Sequence, residues 1–233
     1  MIRHIAGYRF VPLVDLMDLR ATMQAQAKQL ELKGTILLST EGINIQLAGE
    51  PLAIETWLDW LNVDTRFSDM SFRMSETEQL PFVRLKVKIK KEIITMRQPS
   101  ANPIMRQAPS ISPELFHQWL EEKRDITVLD TRNDFEYQFG AFEGAENLHL
   151  KEFSEFPEAM LKVSRNRPIV MYCTGGVRCE KAALAMMDAG YSEVYQLEGG
   201  ILNYFAQVGG AHYHGDCFVF DERIALNSDL KPI

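Results

Sequence analysis

Two apolar rhythms alternate along the first hundred residues of this 233-residue chain. Residues 5–13 read as an apolar strand. Residues 15–32 then carry Leu16, Leu19, Met23, Ala27 and Leu30 at helical spacing, and Gly34 supplies a stop. Two short β-rich runs, 35–39 and 43–48, flank Glu41-Gly42 and predict a hairpin. A second helix is predicted over 51–61, with Trp57, Leu58 and Leu61 on one side, and a strand over 82–95 closes the series.

The order β-α-β-β-α-β is that of a ferredoxin-like domain, placed at residues 1–97. Pro99, Pro103, Pro109 and Pro113 crowd the next stretch beside Ser100, Ala101 and Asn102. Prolines at that density continue neither a helix nor a central strand, so 98–111 is expected to be a linker. Ser112-Pro113-Glu114 has the form of an N-cap, a first-turn proline and an early acid, opening a helix through Trp119 and Leu120. Strand and helix patterns then alternate over 126–130, 134–138, 169–173, 177–189, 193–197 and 201–208. They predict a second, α/β domain with a central parallel sheet at 112–210, followed by a C-terminal segment, 211–233.

Composition changes this picture little, and charge changes it more. A hydrophobic content of 46% over this length fills one or two ordinary cores. The net charge of −7 is uneven: residues 1–100 hold 13 Lys+Arg against 12 Asp+Glu, whereas the rest hold 12 against 20. Three cysteines make no disulfide framework and the N-terminus has no export-signal pattern, so a reducing, cytoplasmic setting is expected. No apolar run approaches the roughly 20 residues of a membrane span, so no membrane partner is expected. Cys173, Cys179 and Cys217 form no Cys-x-x-Cys pair, and His212 and His214 read as surface residues; no metal site is expected.

The candidate chemistry lies at Cys173-Thr174-Gly175-Gly176-Val177-Arg178, which joins an apolar strand run to a helical stretch. Two glycines let the backbone close around the sulfur, and the helix that starts there aims N–H groups and its positive dipole end at the same point. Such a cradle favours a thiolate, and stabilises a persulfide or oxyanion equally, with Arg178 adding a cationic fork. Cys179 reads as a resolving thiol or as a core cysteine on the helix face. Asp130 and Arg132 read as an ion pair that holds the loop, and Cys217 as packing. In a separate stretch, Val83-Arg84-Leu85-Lys86-Val87-Lys88-Ile89-Lys90, followed by Lys91, alternates apolar and cationic residues. It is either a sheet edge protected by lysines or a track for a nucleic-acid backbone.

The Cys173–Arg178 loop resembles the active-site loop of rhodanese domains. Val128-Leu129-Asp130-Thr131-Arg132, Phe135-Glu136-Tyr137, Gly140-Ala141-Phe142-Glu143-Gly144-Ala145 and Val194-Tyr195-Gln196-Leu197-Glu198-Gly199-Gly200 extend the likeness in the same order. A narrower resemblance rests on Ser39-Thr40-Glu41-Gly42-Ile43-Asn44, Lys91-Glu92-Ile93-Ile94-Thr95-Met96, Cys179-Glu180-Lys181 and Gly215-Asp216-Cys217-Phe218-Val219-Phe220-Asp221-Glu222-Arg223. These segments are similar to those of the bacterial rhodanese-containing family of tRNA uridine hydroxylases. The resemblance implies a ferredoxin-like, acylphosphatase-like first domain and oxygen-dependent 5-hydroxylation of the wobble uridine (U34) of tRNA. It also implies Cys173 as the catalytic residue, O2 as co-substrate, an external reductant, and tRNA contacts at Lys86, Lys88, Lys90 and Lys91. A sulfur or electron donor protein would be a further partner. Many members of the family continue into a cysteine-rich tail, whereas this sequence stops at Ile233.

No haem, flavin or dinucleotide signature is present in the sequence, so no cofactor is expected. Three other readings of the loop stand beside hydroxylation. It suits a persulfide-forming sulfurtransferase, which would not require the first domain. A phosphatase on the same fold would carry one more residue between cysteine and arginine. A non-catalytic binding module would not need both the cysteine and the arginine.

Overall fold

The computed structural model describes residues 1–233, in two compact units, Met1–Ile93 and Ile94–Ile233. In the first, β1 (Ile2–Phe10), α1 (Leu16–Gln29), β2 (Lys33–Ser39), β3 (Gly42–Gly49), α2 (Pro51–Asn62), β4 (Arg73–Thr77) and β5 (Leu85–Ile89) follow in that order. Alternation decides which face is covered. Register places Ile36, Ile45 and Val87 in one row and Leu38 and Ile43 in the next. Their side chains are buried in one core with Met23 and Ala27 of α1 and Ile54, Trp57 and Leu61 of α2.

The sheet order is β4-β1-β3-β2-β5. The first four strands pair antiparallel, as the ferredoxin-like order requires, and β5 pairs parallel with β2 at the outer edge. The strand that closes the β-α-β-β-α-β unit is therefore β4, which the hydrophobic pattern missed, and the lysine-bearing strand is an added fifth. Arg73-Met74-Ser75-Glu76-Thr77 lies on an edge and has no alternating apolar set to reveal it. The expected strand at 82–95 contracts to Leu85–Ile89, and the first strand begins three residues earlier than its apolar run suggests.

The second unit runs through β6 (Ser110–Ile111), α3 (Pro113–Glu121), β7 (Thr127–Asp130), α4 (Asp134–Phe139), β8 (Gly140–Phe142), β9 (Glu146–Asn147) and α5 (Phe156–Ala159). It continues with β10 (Ile169–Tyr172), α6 (Val177–Asp188), β11 (Val194–Leu197), α7 (Gly200–Val208), β12 (Tyr213–Gly215), β13 (Cys217–Phe218) and β14 (Ala225–Leu226). Strands β6-β11-β10-β7-β9 form one all-parallel sheet. Both faces are covered, which is why the central strand β10 is a continuous, fully buried apolar run. Ile169 and Met171 pack with Ala182, Ala183 and Leu184 of α6, while Val170 and Tyr172 pack with Phe116 of α3 and Ile201, Tyr204 and Phe205 of α7.

Residues 98–111, expected as a linker, pack into this unit. Ala101 and Ala108 join its core, and β6 adds to the sheet edge beside β11. Proline removes a backbone donor but leaves its carbonyl free to pair, as the Pro109 carbonyl accepts from the Gln196 N–H at 3.0 Å, and it does not prevent burial of extended chain. The terminal segment is also built in: β12 pairs with β8, and Cys217, Val219 and Leu226 are buried. No helix is long and apolar enough to cross a membrane.

Candidate active site

Cys173 directly follows β10, at the carboxyl end of the central strand, where parallel sheets place their ligands. Gly176, at the N-cap of α6, has φ +99°, a conformation that a side chain would strain. That turn brings the Gly176 N–H to 3.1 Å from Cys173 Sγ. The Cys179 thiol also donates to the sulfur, as does the Arg178 amide. Burial alone would push the Cys173 thiol up, since only 1% of the residue is exposed. The donors and the Arg178 charge outweigh it and bring the Cys173 pKa down to about 5. Burial pushes the Cys179 thiol up, and its bond to Cys173 adds to the effect. One sulfur of the pair is thus held as thiolate and the other as its donor.

Arg178 does not stand free in the cup. Its Nη1 and Nη2 donate to Glu136 Oε2 and Oε1 at 2.6 and 2.8 Å, a bidentate pair with Glu136 fully buried. Glu136 is held in turn at α4, where the Asn133 N–H donates to Oε2 at 3.1 Å in a capping box. Burial would raise the Glu136 carboxyl, but the Arg178 charge holds it below the ordinary range. Arg178 therefore acts near the sulfur as a fixed positive charge whose fork is already occupied. In the sequence Glu136 stands out only as part of the Phe135-Glu136-Tyr137 motif. Its role as the partner of a residue 42 positions away has no periodic signal.

Asp130 and Arg132 form the expected ion pair, fully buried, with Arg132 Nη2 donating to Asp130 Oδ2 at 2.7 Å and to the Gly140 carbonyl at 2.6 Å. They brace the end of β7. Between them, the Thr131 hydroxyl donates to the Tyr172 carbonyl at 2.9 Å and lies 3.6 Å from Cys179 Sγ. The start of α7 closes the other side: the N–H groups of Ile201 and Leu202 donate to the carbonyls of Cys173 and Thr174 at 2.9 and 3.2 Å. Gly200 has φ +65°, and a Cβ there would lie 2.2 Å from the Cys173 carbonyl oxygen, so glycine is required for this approach.

The structure thus gathers Cys173, Thr174, Gly175, Gly176, Val177, Arg178 and Cys179 in one loop and brings Asp130 and Arg132 to the adjoining strand end. Lys86, Lys88, Lys90 and Lys91 lie in the first unit, on or just after the edge strand β5, with Lys88, Lys90 and Lys91 exposed and Lys86 half-buried.

The cup's electrostatics can be measured directly. The ultraviolet thiolate absorbance lost on changing Cys173 to Ser should titrate near pH 5, well below the roughly 8.5 of a free thiol. A midpoint above pH 8 would contradict the cradle. Because the folded pKa is depressed, the thiolate's contribution to stability is fully present above about pH 8.5. It is lost as the pH falls through about 5.

A cysteine cradled at the strand-to-helix turn of a doubly covered parallel sheet defines a rhodanese-class domain, and residues 112–207 match the rhodanese-like domain family. Residues 2–93 match the UPF0176 acylphosphatase like domain. The chain is 49% identical to a tRNA uridine(34) hydroxylase of Cupriavidus necator, over 99% of this chain and 85% of that one. It is 48% identical to the protein of that name from Bordetella petrii, over 98% and 94%, and 46% identical to that of Bordetella pertussis, over 98% and 97%. The chain belongs to the tRNA uridine(34) hydroxylase family.

Proposed function

We propose that this chain is a cytoplasmic enzyme that hydroxylates C5 of the wobble uridine in tRNA, with Cys173 as the reacting residue. The observation that carries the reading is the buried, donor-cradled Cys173 sulfur in a chain of this family. A thiolate suits the chemistry: its addition to C6 of uridine forms an S–C6 bond and moves the ring electron pair toward C5 and O4. C5 then attacks an electrophilic oxygen. Loss of the C5 proton and departure of the thiolate restore the C5–C6 double bond. With O2 as oxidant, one oxygen atom enters C5 and the other leaves as water, which consumes two electrons and two protons from an external donor. Cys179, buried and hydrogen-bonded to Cys173, keeps that sulfur ionised between cycles.

The test is nucleoside mass spectrometry of tRNA from cells with and without the chain. Dependence of 5-hydroxyuridine on it supports the reading, and unchanged 5-hydroxyuridine sinks it. Sulfur transfer is the second reading, favoured by the same anion-stabilising cup, because a persulfide would extend the reactive sulfur outward by an S–S bond of about 2 Å. A thiosulfate-to-cyanide assay separates the two. Phosphate recognition is disfavoured because both arms of Arg178 are engaged by Glu136.

Lys86, Lys88, Lys90 and Lys91 are proposed to meet the tRNA backbone. Changing all four to Gln should weaken tRNA binding and flatten its salt dependence, since fewer counterions are released. Any sulfur transfer at Cys173 should persist. Affinity measured against salt concentration, with unchanged slope, would return β5 to the role of a charged sheet edge.

A further inference from the structure

Three polar side chains outside the active-site loop converge in the second unit. His117 and Glu121 stand one turn apart on the same face of α3, and His212 lies in the segment before β12. Their donor atoms all fall within 4.8 Å of one another. His212 holds a left-handed φ of +58°, uncommon outside glycine, and its carbonyl is tied by the Glu143 N–H at 2.9 Å.

The Tyr204 hydroxyl has one proton, and it goes to the Ala211 carbonyl at 2.9 Å. Tyr204 Oη therefore accepts from His117 Nδ1, 3.3 Å away, which leaves Nε2 as the ring nitrogen available to a ligand. On His212, Nδ1 faces Glu143 Oε2 at 3.4 Å and is the donor of that pair, because an ionised carboxylate only accepts. His212 Nε2 then faces Glu121 Oε1 directly. By the same rule Nε2 donates to Glu121 when no metal is bound, so the cluster is two imidazoles and a carboxylate whose near atoms lie within 4.8 Å of one another. A metal cation that displaces the His212 Nε2 proton would be held by all three.

We infer that His117, Glu121 and His212 form a binding site for a divalent cation of the zinc class, with a fourth position open to water. Two imidazoles and one carboxylate are a ligand set that zinc accepts. The outer partners also fit: Tyr204 and Glu143 each engage the remote ring nitrogen of a ligand histidine, which fixes tautomer and orientation. The bound ion would tie α3 to the segment before β12, with Tyr204 linking the site to α7. The sequence reads His212 as a surface residue, and its approach to His117 and Glu121 comes only from the fold, since Glu121 and His212 lie 91 positions apart.

The test uses the full chain, stripped with chelator and titrated with Zn2+ by calorimetry and with Co2+ by visible spectroscopy. One equivalent should bind, with cobalt showing tetrahedral ligand-field bands and no thiolate-to-metal charge transfer. Zinc should raise the unfolding temperature by mass action. His117→Ala and His212→Ala should each abolish both effects, and Glu143→Gln should weaken binding about 10- to 100-fold. Glu121→Gln, at an exposed position, should also lose the site and serves where a histidine variant fails to fold. No saturable binding by the parent chain would overturn the inference. Binding that survives all of these substitutions, or a charge-transfer band that places the metal on a cysteine, would overturn it too.

Discussion

Cys173→Ser should reduce 5-hydroxyuridine in cellular tRNA to the level of cells lacking the chain while leaving the fold intact. Serine is close in size and can accept the Gly176 N–H, so packing around a site only 1% exposed is kept. What is lost is acidity, since no donor array of this size ionises an alcohol near neutral pH. Circular dichroism and the urea midpoint should match the parent closely. Cys179→Ser should be much milder, because a hydroxyl can still donate to the Cys173 sulfur. Full modification by the Cys173 variant would remove the residue from the mechanism. Loss of activity in Cys179→Ser equal to that in Cys173→Ser, with normal stability, would bring a resolving role for Cys179 to the front.

The largest effect on stability is expected at Glu136. Glu136→Ala strands the buried Arg178 guanidinium without its bidentate partner, and breaking one side of such a pair costs about 3–5 kcal/mol. The urea midpoint should fall with an unchanged slope. Replacing both partners, Glu136→Leu with Arg178→Met, should recover much of the loss, because no charge is then left uncompensated. Activity should stay absent in the double variant, since the positive charge beside the Cys173 sulfur is gone. A single Glu136→Ala variant as stable as the parent would mean that the pair is not closed in solution.

How much of this was legible depended on the range of the signal. The strands and helices around Cys173 fell within a residue or two of their expected places, because each is a continuous apolar run or a capped helix with a glycine turn. Short polar strands were not legible: β4 carries Arg73, Ser75 and Glu76 at an edge, and β12, β13 and β14 are two or three residues long. The lysine strand had the right character but the wrong place in the order, since edge position follows from long-range pairing and not from alternation. Proline density marked 98–111 as irregular chain, yet could not show that Ala101 and Ala108 would be buried. In the site itself, the cysteine, the glycine turn and the Asp130–Arg132 pair were readable as local patterns. Glu136 as the anchor of Arg178 was not, because only the folded sheet brings α4 against α6.

The contact between α7 and the loop carbonyls fixes more than the loop's position. In a trans peptide the C=O of one residue and the N–H of the next point in opposite directions, and rotating one rotates both. By holding the carbonyls of Cys173 and Thr174, the amides of Ile201 and Leu202 set the tilt of two peptide planes. The N–H groups of Thr174 and Gly175 are thereby turned away from α7. A helix that donates nothing to the sulfur thus determines how the loop's own dipoles are aimed. The Gly199-Gly200 turn, which allows that helix so close, sets the aim of the loop's dipoles from a position outside the cup.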